Sequence, residues 1–391
     1  MAGISTMRLA RTPAASGQSH VTAENLGNVT EGAQTFTDLV NMGSVTIDAG
    51  SNYVGFFSCE AQQTSTTGNT QTQVVVAGST IHATPLENDV RSSTEFRSHG
   101  GIFFIQNAGA ATSKTIKLQG RSTVTGTATF RNSRISLLKL GANDVLLESL
   151  ALQSLTNTTT NKTATTVATL SFTPPTSGDY LIITSFLPQL LNSTNVYWGF
   201  QLTDGATTTT ELGMRPEGGS QEPTVFMWKL AGLSGAQSIN LNIRQMGTGA
   251  TTIGIAEIRM LALRLDRFSA AYITSLAADD TGTQSTYTTS LTQTFTPAAH
   301  DHLILAAWMQ MGIAGGSNTV SGQFLDDGTT IDEVIAQTSF EPANDGNRQA
   351  FSHRIATLAA SSRTQSIQRK SAATGSNTVK VGSAIVTLDL S

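Results

Sequence analysis

The sequence predicts an all-β protein built of three tandem antiparallel β-sandwich domains, and two observations support this fold class. First, only 13% of its residues are charged, and Thr, Ser, Gln, Asn and Gly are abundant instead. Branched Thr favours extended backbone, while Gly and Asn tolerate the positive φ angles of tight turns. Second, the chain contains an internal repeat, which decides the number of domains.

The repeat is clearest at the end of each copy. The apolar segments ISLLKL, MLALRL and IVTLDL end at residues 140, 265 and 390, each 125 residues after the previous one. The starts also correspond, because FTPPTSGDYLIITSF from Phe172 is matched by FTPAAHDHLILAAW from Phe295 and more loosely by VTIDAGSNYVGFFS from Val45. Seven or eight short strands per copy, separated by turn residues, are typical of a β-sandwich. We therefore expect an N-terminal arm at 1–25 and domains at 26–142, 143–268 and 269–391.

A tight hairpin is predicted in the middle of each copy. Asp204–Gly205 and Asp327–Gly328 are residues that accept two consecutive positive φ angles, and Ala77–Gly78 occupies the corresponding place in the first copy.

The final strands differ in how their apolar residues are distributed. In AIVTLDL, one face carries Ala384, Val386, Leu388 and Leu390, and the other carries Ile385, Thr387 and Asp389, which predicts burial of one face. MLALRL is apolar on both faces for most of its length. We expect this strand to be covered on its outer side by a neighbouring copy or subunit, and therefore more completely than the last strand of the third copy.

Charge and hydropathy exclude several classes of partner. The net charge is −4, no run of Lys and Arg is present, and no apolar stretch reaches about 18 residues, so nucleic acid, an anionic membrane and a transmembrane helix are not expected. Arg8 and Arg11 lack a following apolar segment, so the N-terminus is interpreted as a flexible arm. Cys59 is the single cysteine, which is typical of a protein made in a reducing cytoplasm. Its strand-like surroundings predict a buried, inert thiol.

Two polar clusters are candidate sites of chemistry. His300, Asp301 and His302 could place two imidazoles on one face of a strand, but the second copy has Gly, Asp and Tyr there, which favours a turn over a metal site. The cluster Asp326, Asp327, Asp332 and Glu333 could form a cation site or a paired-carboxylate glycosidase, but its match to the Asp204 hairpin favours solvated turn residues.

The glycines of GTGATTIG at 247–254 lack a following Lys and a helix, so a hairpin is favoured over a phosphate loop. We therefore expect no enzyme activity, no cofactor and no metal.

Aromatic residues concentrate in the second copy. Tyr197, Trp198, Phe200, Phe226 and Trp228 could form its core, or they could stack on carbohydrate or contact another subunit if Trp198 or Trp228 is exposed. Together with Arg8 and Arg11 of the arm, Trp198 and Trp228 are the candidate interface residues.

The order of FTPPTSGDYLI, a DG hairpin, a strand into LAGL and a Gly/Thr-rich hairpin before the last strand resembles the jelly-roll modules of tailed-phage virion proteins. In outline it is also similar to trimeric jelly rolls of the tumour-necrosis-factor type. The resemblance implies three jelly-roll domains and a non-enzymatic role in a virion, in a protein made in the host cytoplasm. Separately, three copies in one chain could form a pseudo-trimer in which each copy takes the place of one subunit.

We expect a capsid decoration protein on the head exterior. Its partners would be the major capsid protein or other virion proteins and further copies of itself. The alternatives are a tail, neck or fibre protein that contacts the host, and a surface protein that binds or degrades polysaccharide.

Overall fold

A computed structural model describes residues 18–32, 34–64, 68–82, 85–89, 96–157, 164–190, 198–209, 212–214, 223–245, 251–313, 318–338, 348–371 and 376–391. Within these residues the regular elements are β-strands and one three-residue 3-10 helix, Leu265–Arg267. This confirms the all-β prediction.

The strands form six sheets, which stack as three pairs in chain order. The first pair consists of β1 (His20–Asn25), β2 (Val29–Glu31), β3 (Thr37–Ile47), β4 (Ser51–Gln63), β5 (Asn69–Val76), β6 (Ser79–Thr80), β7 (Leu86–Asp89), β8 (Arg97–Asn107), β9 (Thr112–Ser122) and β10 (Ala128–Lys139). The second pair consists of β11 (Val145–Ser149), β12 (Gln153–Asn157), β13 (Thr165–Phe172), β14 (Gly178–Leu190), β15 (Trp198–Thr203), β16 (Leu212–Met214), β17 (Thr224–Leu233), β18 (Gln237–Gln245) and β19 (Thr251–Arg264). The third pair consists of β20 (Ala271–Ser275), β21 (Asp280–Gly282), β22 (Thr288–Phe295), β23 (Asp301–Ile313), β24 (Asn318–Asp326), β25 (Thr329–Thr338), β26 (Arg348–Thr357), β27 (Arg363–Ser371), β28 (Ser376–Val379) and β29 (Ala384–Asp389).

Each pair has the strand order of a jelly roll. One sheet runs β1-β10-β4-β8, β11-β19-β14-β17 or β20-β29-β23-β26, and we call these the inner sheets. The other runs β3-β9-β5-β6, β13-β18-β15-β16 or β22-β27-β24-β25, and these are the outer sheets. Successive long strands alternate between the two sheets, and the last strand pairs with the first, as in two interlocked Greek keys.

The 125-residue repeat is reproduced in the strand register. Lys139, Arg264 and Asp389 lie opposite Tyr53, Tyr180 and His302 in the three inner sheets. Left-handed backbone also recurs at this interval, with φ of 51° at Asn132, 55° at Glu257 and 89° at Gly382. Because these residues lie where the last strand departs from regular pairing, the same irregularity has been kept in all three pairs.

Three apolar cores lie between the inner and outer sheets, one in each pair. The large side chains Phe57, Phe103 and Phe130 fill the first, while Trp198 and Trp308 are fully buried in the second and third. Cys59 is buried in the first core, as predicted, and burial raises the pKa of its thiol far above the ordinary value.

Two of the three predicted hairpins have both positive φ angles, at Ala77–Gly78 (51° and 85°) and at Asp327–Gly328 (54° and 77°). The prediction was wrong in detail for the second copy, where positive φ is found at Gly205 but not at Asp204. The Asp204 carboxylate instead accepts hydrogen bonds from the backbone N–H groups of Ala206 and Thr207, at 2.9 and 2.6 Å. This side chain stabilises a wider loop in place of a two-residue turn.

The predicted arm of residues 1–25 is too long. Residues His20–Asn25 form β1 and pair with β10, because their backbone groups complete the edge of the first inner sheet. The other predicted boundaries, after 142 and 268, fall between the last strand of one pair and the first strand of the next; as domain limits they stay predictions.

Candidate functional site

A fourth apolar cluster lies between the three sheet pairs, and we call it the central cluster. It joins the faces of the inner sheets that point away from their own cores. The first pair contributes Val54, Phe56, Ile102, Phe104 and Leu138; the second contributes Leu181, Ile183, Val225, Met227, Leu261, Leu263, Leu265 and Phe268; and the third contributes Leu303, Leu305, Ala307, Phe351, Ala384, Val386, Leu388 and Leu390. All three inner sheets are therefore covered on both faces, once by an outer sheet and once by the neighbouring pairs.

The central cluster explains the two-sided apolar pattern of MLALRL. Met260 and Ala262 point into the core of the second pair, whereas Leu261 and Leu263 point into the central cluster. The expectation that a neighbouring copy covers this strand is confirmed.

We expected this strand to be covered more completely than the last strand of the third copy. That expectation was wrong, since β29 is buried along its whole length. Its face of Ala384, Val386 and Leu388 lies against the neighbouring pairs, and Ile385 points into its own core. The polar Thr387 on that second face is buried because its hydroxyl donates to Gln365 Oε1 at 2.8 Å.

A buried charged contact joins the first pair to the second. Arg259 of β19 donates from Nη2 to the carbonyl of Ile81 at 3.0 Å and from Nη1 to Glu257 at 2.8 Å. His82 Nδ1 lies 3.0 Å from the same Glu257 oxygen. Burial alone would raise the pKa of Glu257, but the hydrogen bond from His82 and the charge of Arg259 lower it on balance.

The first and third pairs are joined in the same way. Arg134 of β10 donates from Nη2 to the carbonyl of Ile331 at 3.2 Å, and from Nη1 to both carboxylate oxygens of Asp332 at 2.8 and 3.0 Å. Ser352 also donates to Asp332. No linker connects these two pairs directly, so this contact, which we call the closing seam, joins the first pair to the last.

The two contacts are related by the repeat. Arg134 and Arg259 are 125 residues apart, and Ile81 and Ile331 each follow the hairpin of their own outer sheet. In both cases the arginine of one pair reaches the backbone just beyond the hairpin of another. The third copy has Ala384 at the corresponding place, and the described polar contact between the second and third pairs is different: Gln349 Oε1 accepts from the N–H of Val225 at 2.9 Å.

Further polar groups lie buried in the closing seam. Glu60 Oε1 accepts from the backbone N–H of Glu333 at 2.7 Å and from Asn132 at 2.9 Å. Burial raises the pKa of Glu60 to about 7, and the nearby negative charge of Asp332 acts in the same direction.

His353 lies between two serines, with Nδ1 3.1 Å from Ser58 Oγ and Nε2 3.2 Å from Ser136 Oγ. Serine beside histidine is a pairing used in nucleophilic catalysis. Here all three side chains are at most 2% exposed, so a substrate has no access to them. Burial also holds the pKa of His353 well below its ordinary value, and the three groups serve as a buried hydrogen-bonded contact between pairs.

The chain enters, leaves and crosses between pairs at one end of the molecule. Arg267, which follows the second pair, donates to the carbonyl of Lys139 and from Nε to Gln18 Oε1 at 3.0 Å, and it pairs with Asp144. The N–H of Gln18 donates to the carbonyl of Leu390 at 2.6 Å. The described start, both linkers and the C-terminal end therefore share one network.

The predicted interface residues have different positions. Arg8 and Arg11 lie outside the described residues, as does Tyr197. Trp198 is completely buried between the two sheets of the second pair, so it belongs to the core of this chain. Trp228 is half-buried and packs against the same core; its contact with another chain stays a prediction.

The carboxylates at 326–333 were expected to be solvated turn residues, and this was wrong for two of them. Asp326 and Asp332 are 1% and 4% exposed, because Arg363 pairs with Asp326 and Arg134 pairs with Asp332. Asp327 is an exposed hairpin residue, as expected.

His302 is buried beside Asp389, with Nε2 3.8 Å from Oδ2, and His300 lies 3.5 Å from the other oxygen of that carboxylate. Over the described ranges no group of three or more His, Cys, Asp and Glu residues is placed to hold a metal ion.

The arginines of the two charged contacts were missed in the sequence. A signal was present, since Arg134 and Arg259 each stand six residues before the end of a repeated segment.

Among the residues whose structure is described, no helix is long and apolar enough to cross a membrane.

No family model matches the chain, and no curated protein matches it. Similar solved structures have low identity. An exo-β-agarase is 13% identical with a TM-score of 0.20 over 31% of this chain, which spans only 23% of that enzyme. Tandem CBM22 domains from Paenibacillus barcinonensis are 11% identical with a TM-score of 0.21, over 67% of this chain and 99% of theirs. A triple jelly-roll protein linked to turret assembly in an archaeal virus is 10% identical with a TM-score of 0.22, over 99% and 90%. The assignment to the jelly-roll fold rests on the strand order described above.

Proposed function

We propose that this protein is a structural component of a virus particle, and specifically a decoration protein on the head exterior of a tailed phage. The observation that carries the proposal is the central cluster, which holds three jelly rolls together within one chain. Such a unit presents three similar surfaces around one pseudo-three-fold axis, as a trimer of separate chains would. It can therefore occupy a three-fold position without assembling from free subunits.

The remaining features favour a structural role over chemistry. The Ser–His–Ser contact is sealed from solvent, and the acidic residues of the closing seam, Asp332 and Glu60, are paired with Arg134 and Arg131. Buried, hydrogen-bonded polar groups at the joints between sheet pairs fix one arrangement of those pairs. Rigidity of this kind suits a part of a particle surface.

The partners we propose are the major capsid protein or other virion proteins. Because the described chain starts at the end of the molecule where the linkers and the C-terminal end meet, residues 1–17 would be attached there. We propose that this arm, with Arg8 and Arg11, contacts the particle. The double variant Arg8→Ala/Arg11→Ala should bind less well to particles that lack the protein, while wild-type chain restores full occupancy; undiminished binding would count against the arm.

The function is tested by locating the protein. Particles of the virus that carries this gene would be purified on a density gradient, and antibodies against the chain would be imaged on intact particles by electron microscopy. We expect regular labelling of the head. Label confined to the tail would overturn the head position in favour of a tail or fibre protein, and absence from purified particles would overturn the virion role.

A further inference from the structure

An open groove crosses the outer sheet of the first pair. Its volume is about 890 Å³, and its lining comes from β3, β5, β6, β9 and the turn between β5 and β6. The polar lining includes Asn41, Gln73, Thr80, Thr115, Lys117 and Gln119. The groove faces away from the central cluster, so it is independent of the contacts that join the three pairs.

The strand on one side of the groove has a feature that its counterparts lack. Strands β13 and β22 each have one break in register with their neighbour, at Thr166/Ala168 and Thr289/Leu291. β3 has the corresponding break and a second one between Asn41 and Ser44. Bulges redirect side chains and are common beside binding sites. Here Gly43, with φ of 68°, bonds through its N–H to Asn41 Oδ1 at 2.8 Å, which fixes the direction of a lining side chain.

The turn at the other side is also unusual. Ala77 has φ of 51° and lines the groove. Left-handed backbone is less favourable for Ala than for Asp or Asn, and the third pair has Asp327 at the same place. The small side chain of Ala77 leaves this side of the groove open, although its left-handed backbone conformation is energetically unfavourable for Ala.

Three polar side chains of the groove are held in a chain of hydrogen bonds across three strands. Lys117 Nζ lies 2.6 Å from Asp38, Gln119 Nε2 donates to Asp38 at 2.7 Å, and Gln73 Nε2 donates to Gln119 Oε1 at 2.9 Å. The charge of Lys117 is neutralised by Asp38. The result is a pair of amides held in place beside the hydroxyls of Thr80, Ser113 and Thr115, with no net charge.

We propose that this groove binds a neutral glycan chain. Sugar hydroxyl groups both donate and accept hydrogen bonds, and they are matched by amide and hydroxyl side chains that do the same. An anionic ligand would meet a lysine whose charge is already neutralised. An apolar segment would find only two apolar side chains in the lining, those of Val75 and Ala77. The ten lining residues include no aromatic ring for stacking, so we expect weak binding, with a Kd on the order of 1 mM per site.

The site can be tested with the purified full-length chain, independently of any particle. Binding would first be measured on an array of neutral and anionic glycans, and the best oligosaccharide would then be titrated and followed by NMR. The variant Gln73→Ala/Gln119→Ala removes the central amide pair. The matched control is Gln323→Ala/Gln368→Ala, because these two glutamines form the same contact, at 2.7 Å, on the outer sheet of the third pair.

We expect neutral glycans to bind, the Gln73/Gln119 variant to bind at least 10-fold more weakly, and the Gln323/Gln368 variant to bind like wild type. Ala77→Asp provides a second test, since Asp suits the left-handed backbone and should leave the fold intact while it obstructs the groove and weakens binding. Failure to bind any neutral glycan, binding of anionic glycans only, or equal behaviour of the two glutamine variants would overturn the proposal. None of these results bears on whether the protein is part of a virion.

Discussion

The closing seam predicts a large loss of stability when Asp332 is replaced by Ala. Arg134 and Asp332 are 5% and 4% exposed, and two hydrogen bonds of 2.8 and 3.0 Å join them. Removing one partner leaves a buried charge without its counter-ion, which costs about 3 to 5 kcal/mol in proteins. Ser352 also loses its acceptor. We expect a loss near the lower end of that range, because the carboxylate of Glu24 remains 3.7 Å from Arg134.

Two control variants make the prediction specific. Asp48→Ala breaks the Lys139–Asp48 pair, whose side chains are 35% and 48% exposed, and should cost less than about 1 kcal/mol because solvent screens the pair. Arg134→Met/Asp332→Leu removes both charges together and should be far less harmful than Asp332→Ala, since no uncompensated charge remains.

The free energy of unfolding would be measured by urea titration, with tryptophan fluorescence and far-ultraviolet circular dichroism as two probes. Transitions that coincide for the two probes would justify a two-state treatment. If Asp332→Ala costs no more than Asp48→Ala, then the seam is open to water and the reasoning from its burial fails.

Three further outcomes are expected. The Cys59 thiol should not react with a thiol reagent in the native protein, because it is buried and its pKa is raised. One equivalent of reagent should be consumed after unfolding in denaturant, and a rapid reaction of the native protein would contradict this. The pKa of Glu60 is raised from 4.5 to about 7, so its contribution to stability is present below pH 4.5 and is lost as the pH rises toward 7; Glu60→Gln should flatten the stability profile in that window, and an unchanged profile would refute the assignment. Gly55→Ala should cost about 1 to 3 kcal/mol, because a Cβ there would lie 2.0 Å from the Phe103 ring, while Gly27→Ala, where the nearest atom is at 3.5 Å, should melt close to wild type.

Much of the local structure was predictable because it depends on residues close together in the sequence. The 125-residue spacing of the apolar segments anticipated the equal register of Lys139, Arg264 and Asp389. The hairpin at Asp327–Gly328 followed from residues that accept positive φ, and the one at Ala77–Gly78 followed from its matching place in the repeat. The second hairpin differed because the Asp204 side chain formed its own hydrogen bonds with the loop.

The candidate sites were less predictable, because burial depends on distant parts of the chain. Asp332 looked like a solvated turn residue, yet its partner Arg134 is 198 residues away in the sequence. The groove depends on a bulge in β3 and on side chains from three strands, and no short motif marks either of them.

The sequence by itself determined the all-β class, the repeat and the alternation of faces along each strand, because composition, turn residues and a period of two are local properties of the chain. Only the tertiary structure decided what covers each face. Alternation in AIVTLDL separates Ala384, Val386 and Leu388 from Ile385, but it is the same pattern whether the first set faces its own outer sheet or a neighbouring pair. Packing of the three inner sheets around the central cluster placed these side chains between pairs, since burying all three apolar faces together removes more apolar surface from water than leaving any one exposed.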